Sequence, residues 1–62
     1  MMSEPVEFYG EIIAETDNAK LIGDGEHNVW IPNSLIIEQE KINGNDFMFL
    51  IPEWLAIDRE IV

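Results

Sequence analysis

Thirteen carboxylates, one histidine and no cysteine are the side chains with the widest chemical reach in this 62-residue chain. Paired carboxylates can exchange protons with a substrate or hold a cation, and a hydroxyl beside a histidine can act as a nucleophile. The spacing supports neither chemistry. Ser3 falls in a stretch, residues 1–5, expected to be a flexible N-terminal tail, and Ser34 reads as a turn or helix-cap residue. Thr16 belongs to a Thr-Asp-Asn turn, while His27 stands two residues past a hairpin turn, where a surface or ladder histidine is expected. Asp24-Gly25-Glu26 and Asn43-Gly44-Asn45-Asp46 look like fragments of calcium loops. They lack the alternating oxygen ligands and the closing glutamate that such loops need. There is no glycine-rich phosphate cradle. The expectation is a non-enzymatic protein with no catalytic residue, no metal site and no cofactor.

What remains is the charge itself. Three basic residues against thirteen acidic ones leave a formal net charge of -10, with 47% of residues hydrophobic. An acidic chain poor in apolar residues stays unfolded, because it cannot bury enough surface to offset chain entropy. This one has the apolar residues to fold, as a single domain over 1–62 with a negative skin. Direct binding of nucleic acid or anionic lipid calls for Lys and Arg and is not expected. A basic protein partner is. Without cysteines no disulfide staples so small a core, so a homodimer is the alternative way to bury more surface. No apolar run approaches the ~20 residues that span a bilayer, and the start lacks the features of a signal peptide. A cytoplasmic location is expected.

The elements follow from periodicity and turn chemistry. Residues 6–15 alternate, with Val6, Phe8, Gly10, Ile12 and Ala14 on one face and Glu7, Tyr9, Glu11, Ile13 and Glu15 on the other. Period two with β-branched and aromatic residues predicts a strand. A helix would stack Glu7, Glu11 and Glu15 along one side and carry Gly10 inside. Further strands are predicted over 19–23, 26–31, 35–42 and 46–51, with hairpin turns at Asp24-Gly25 and Asn43-Gly44. Pro32, which has no amide hydrogen, ends the third. Pro52-Glu53 suits a helix start, and Trp54, Leu55, Ile57 and Ile61 supply its apolar stripe. The predicted fold is α+β: a strongly bent antiparallel sheet or small open barrel of about five strands, with one C-terminal helix. Val6, Phe8, Ile12, Val29, Trp30, Phe47, Phe49, Trp54 and Leu55 are its expected core.

The candidate partner-binding surface is the glutamate face of the first strand. Tyr9 and Ile13 form an apolar centre ringed by Glu7, Glu11 and Glu15, which has the anatomy of an interface. Glu7 and Glu11 lie ~13 Å apart along a strand, too sparse for a row of phosphates. Neighbouring strands must supply the intervening acids, and Asp24, Glu26, Glu38 and Glu40 are the candidates. Lys20, Lys41 and Arg59 would dilute such a patch.

Three segments carry a resemblance: Glu11-Ile12-Ile13-Ala14-Glu15-Thr16 with Ala19-Lys20-Leu21, then Val29-Trp30-Ile31-Pro32-Asn33-Ser34, then Ile51-Pro52-Glu53-Trp54-Leu55-Ala56. The chain resembles small phage- and prophage-encoded proteins that join a Glu-Thr…Ala-x-Leu strand to a Trp-(Ile/Val)-Pro-x-Ser element and a terminal (Ile/Met)-Pro-x-Trp-Leu-Ala helix. The resemblance spans residues 11–57, and its motifs are structural ones. Asn33 departs from the lysine usual after Trp-Ile-Pro and makes the surface more acidic. The resemblance implies a phage-borne accessory protein. Anti-CRISPR proteins and restriction inhibitors are similar in size and charge, so inhibition of a host nucleic-acid-binding complex by nucleic-acid mimicry is the expected function. The alternative is a structural or regulatory accessory module whose acidity serves solubility.

Overall fold

A computed structural model describes residues 4–61. Five strands and one short helix follow in the order β1 (Val6–Glu15), β2 (Ala19–Gly23), β3 (Asn28–Pro32), β4 (Glu38–Asn43), β5 (Asp46–Ile51) and α1 (Glu53–Asp58), with a 3-10 turn at Asn33–Leu35. All pairings are antiparallel, and the spatial order is β3-β2-β1-β5-β4. The sheet is open, with β3 and β4 as its edges. The α+β expectation holds: five antiparallel strands form a sheet that is not closed into a barrel, followed by one short C-terminal helix. Residues 1–3 of the expected tail, Ser3 included, lie outside the described residues; Glu4 and Pro5 precede β1 without regular structure. No helix among the described residues is long and apolar enough to cross a membrane.

β1 is the axis of the domain because it pairs on both sides. Val6, Phe8 and Gly10 stand opposite Ile51, Phe49 and Phe47, and Ile12 stands opposite Ile22. Directly opposed residues share a face, so this register gathers one apolar layer. Phe8, Ile22, Ile31, Phe49 and Ile51 are buried there, and α1 closes the layer with Leu55 and Ala56. Val6, Ile12, Val29, Phe47 and Ile61 pack against it. Gly10 is a necessity of this packing. A Cβ there would lie 2.6 Å from the Gly23 carbonyl oxygen and 2.8 Å from the Ile22 Cγ2.

The turns are held by short polar side chains. Thr16 Oγ1 accepts from the Asn18 and Ala19 amides at 3.3 and 3.1 Å. Asp24 Oδ1 accepts from the Glu26 and His27 amides at 2.9 and 2.8 Å. Gly25 and Gly44 take positive φ, +99° and +38°, while Asp24 and Asn43 do not. Asn33 contributes a clasp: its Oδ1 accepts from Lys20 Nζ at 2.8 Å and its amide donates to the Asn18 carbonyl at 2.8 Å. A lysine at position 33 would replace this acceptor with a second cation beside Lys20.

Three sequence expectations change. The third and fourth strands begin later than predicted, at Asn28 and Glu38, because Asp24–His27 is a four-residue loop and Asn33–Leu35 a 3-10 turn. Trp30 and Trp54 are not core: they are 45% and 57% exposed. Trp30 lies opposite Leu21, on the face away from the core, and α1 buries its Leu55–Ala56 side while leaving Trp54 and Ile57 outside. The stripe does not run on to Ile61 as helix. Helix α1 ends in a Schellman turn in which Ile61 N–H donates to Ala56 O at 2.8 Å and Glu60 N–H to Ile57 O at 3.1 Å. That turn folds Ile61 back onto the core, with Glu60 at φ +60° where glycine is usual.

Two stability measurements test this packing. Phe49→Ala should cost about 3–5 kcal/mol in urea unfolding and Trp54→Ala less than about 1 kcal/mol; equal losses would put Trp54 in the core. Glu60→Gly should raise the urea midpoint, by about 1 kcal/mol of stability, since glycine alone takes that φ without strain.

Candidate functional site

Among the described residues, no element covers the face of the sheet opposite α1. The β1–β5–β4 register arranges it in three rows: Glu7–Leu50–Glu38, Tyr9–Met48–Glu40 and Glu11–Asp46–Asn43. Neighbouring strands lie ~4.8 Å apart and alternate residues ~6.8 Å apart. Five carboxylates therefore share a patch of about 10 by 14 Å around the half-buried Met48 and Leu50. Asp24 and Glu26 add two more from the adjoining β2–β3 turn. With Tyr9, Glu11, Ile13, Ile42 and Asp46 they line an open concavity of about 720 Å³.

Two β-bulges shape this surface. The first falls between Ile12 and Ala14 and the second between Lys41 and Asn43. Each leaves one isoleucine unpaired, Ile13 and Ile42, and both line the concavity, 48% and 49% exposed. Ile13 extends over Gly23, where an added Cβ would stand 2.4 Å from its Cδ1. A bulge re-aims side chains in this way, and it also reverses the alternation beyond it.

The reversal corrects one predicted site residue. Glu15 does not share the face of Glu7, Tyr9 and Glu11. Past the bulge it stands opposite Lys20, which stands opposite the buried Ile31, and so it lies on the core side. Its carboxylate is 3.9 Å from Lys20 Nζ. The other predicted residues come together: Glu7, Tyr9, Glu11, Ile13, Glu38 and Glu40 on the uncovered face, and Asp24 and Glu26 at its rim. Asp46, Ile42, Met48 and Leu50 belong to the same surface and were missed. The alternation of Asp46, Met48 and Leu50 with Phe47, Phe49 and Ile51 was their signal, once the Asn43-Gly44 turn had set the register.

The three cations are elsewhere. Lys41 stands opposite Phe47 and Lys20 opposite Ile31, both on the core side. Arg59, beyond α1, donates from Nε to the Trp30 carbonyl at 3.2 Å and pairs with Asp58. Among the described residues, no Lys or Arg side chain lies on the uncovered face. The field is visible on Tyr9, 55% exposed, whose phenol is held above its ordinary pKa by the Glu7 charge first, with Glu40 contributing from two strands away. Tyr9 Oη also donates to Glu7 Oε1 in a long bond of 3.4 Å.

Asp24 behaves oppositely. The His27 and then the Glu26 amide hydrogen bonds hold its carboxyl below the ordinary aspartate value. His27 Nδ1 lies 3.9 Å from its Oδ2, with the imidazole largely exposed. Among the described residues, no group of three or more His, Cys, Asp or Glu side chains converges as a metal site. Comparison with protein-family models, curated proteins and solved structures finds no match.

An NMR pH titration checks these fields. Asp24 should titrate below the ordinary aspartate value. Its depressed value means that its contribution to the β2–β3 turn is full above the ordinary aspartate pKa and is lost as pH falls through the lower folded value. The Tyr9 phenol should titrate above a free tyrosine, and Glu7→Gln should lower it; an unmoved Tyr9 in that variant would remove the electrostatic coupling.

Proposed function

We propose that this chain is a non-enzymatic acidic binding protein that occupies the basic groove of a nucleic-acid-binding complex, as a phage inhibitor of the anti-CRISPR or anti-restriction type would. One observation carries the reading: the strand register puts five carboxylates on an uncovered face and turns Lys20 and Lys41 to the other. An acidity that served solubility alone would need no such segregation. Duplex DNA carries about eight phosphates over the ~14 Å length of that patch. The face is therefore of the same order of charge density as nucleic acid, though it does not copy a phosphate row.

The rest of the surface fits a binding role. Tyr9 and the two bulge isoleucines give the patch an apolar centre, and the carboxylates frame it. A standard interface of about 800 Å² per partner would take under a fifth of the 4398 Å² surface. Pairing two copies through this face would set carboxylates against carboxylates, so the face is addressed to something basic. Like charges at that distance also keep nucleic acid away. Charge steering would speed association and make it fall with salt, since the screening length is ~8 Å at physiological ionic strength.

The test is competition. The protein would be titrated into purified basic nucleic-acid-binding enzymes, including a CRISPR effector and a restriction endonuclease, with labelled duplex DNA present. Displacement of DNA from at least one, weakening as salt is raised, is the expected result. The Glu7→Lys, Glu11→Lys and Glu40→Lys triple variant should lose displacement by at least about a hundredfold. A control with the same charge change elsewhere, Asp17→Lys, Glu53→Lys and Glu60→Lys, should retain most of it. Equal losses in the two variants would show net charge acting without a site, and binding untouched by DNA would overturn the mimicry.

A further inference from the structure

The arrangement of charge on the uncovered face says more than its sign. Four of its five carboxylates stand in two columns, Glu7 and Glu11 on β1 and Glu38 and Glu40 on β4, and the fifth, Asp46, lies between them at the start of β5. Between them runs β5, whose half-buried Leu50 and Met48 form an apolar median that no other element among the described residues covers. The columns are two strand spacings apart, ~10 Å. That is the diameter of an α-helix with its side chains, about 10–12 Å.

From this we infer that the partner presents a basic amphipathic α-helix, which lies along β5 with its apolar stripe on Leu50, Met48 and Tyr9. Lysines or arginines on its two flanks reach Glu7 and Glu11 on one side and Glu38 and Glu40 on the other. The inference rests on the acidic face being the binding face, and adds the shape of what it binds. The periods agree: helix positions i and i+4 are ~6 Å apart along the axis, against ~6.8 Å between alternate strand residues. Three rows accommodate roughly nine residues of helix, two and a half turns.

Other occupants fit less well. An added β-strand would dock on the exposed backbone of β3 or β4, at the sheet edge and not on its face. A single extended segment is about one strand spacing wide and cannot flank both columns from the median. Nucleic acid and a second copy of this chain are repelled by the same carboxylates. The apolar median separates this face from a plain acidic patch, because a helix with charge on both flanks and an apolar stripe matches the two acidic columns and the Leu50–Met48 stretch between them, and Asp46 at the end of that stretch meets one further cation at the helix end.

The probe is a synthetic helical peptide of about four turns with leucines at i, i+4, i+7 and i+11 and lysines or arginines flanking them. Its control has the same composition shuffled to destroy the stripe. Both are titrated into the protein with the Met48 methyl and backbone amides followed by NMR. The patterned peptide should bind at least about tenfold tighter than the shuffled one, shift the Met48 methyl, and gain helicity on binding. Met48→Gln should remove that preference, and Glu38→Gln with Glu40→Gln, on a fully exposed edge strand, should weaken the patterned peptide several-fold. Equal binding of the two peptides, binding without a Met48 shift, or no binding of either overturns the helix. The DNA competition above decides the acidic face separately: displacement that depends on Glu7, Glu11 and Glu40, with no preference between peptides, would refute the helix alone.

Discussion

The register of β1 against its two neighbours governs both sides of this molecule. Val6 opposite Ile51, Phe8 opposite Phe49 and Gly10 opposite Phe47 assemble the core layer. The same pairing places Glu7, Tyr9 and Glu11 opposite Leu50, Met48 and Asp46 on the outer face. Because side chains alternate with period two, a slip of one residue would bury the glutamates and expose the phenylalanines. Core and candidate site are thus two readings of one set of backbone hydrogen bonds. Gly10 allows β1 and β2 to approach closely enough to keep it.

A small domain with ten excess negative charges faces self-repulsion, and the fold distributes it unevenly. On the core side, Lys20 answers Glu15 and is held by Asn33, both interactions lying beside the apolar layer. At the helix end, Arg59 answers Asp58 and ties that end to β3 through the Trp30 carbonyl. Among the described residues, no cation answers the carboxylates of the uncovered face. Its carboxylates remain solvated, so their repulsion is moderate while the face is free. A basic partner would relieve it, which gives the field on Tyr9 a use beyond stability. The β4 edge serves a second purpose: all six of its residues are exposed, and its charged side chains discourage pairing with a stray strand.

Local sequence was a good guide wherever a short-range signal acted alone. The alternation of residues 6–15, the Asn43-Gly44 turn and the Pro52-Glu53 helix start each lead to an observed element. It failed where two residues compete for one place. Trp30 and Trp54 are the largest apolar side chains, yet Ile31 and the Leu55–Ala56 pair take the core positions beside them. A six-residue helix buries one side only, and the smaller residues let it sit close to the sheet. The Schellman turn at Glu60 was equally hidden, because no glycine marks it.

Composition and periodicity by themselves determined that this chain folds as an antiparallel α+β domain, that its skin is acidic, and that Glu7, Tyr9 and Glu11 share a face. Those are properties of single segments, set by side-chain alternation and turn chemistry. Which acids join them was decided only in three dimensions. The bulge at Ile13 moved Glu15 to the core side, β5 brought in Asp46, Met48 and Leu50, and the β4 register set Glu38 and Glu40 beside Leu50 and Met48. A bulge and a register belong to pairs of strands, and the residues of one strand do not contain them.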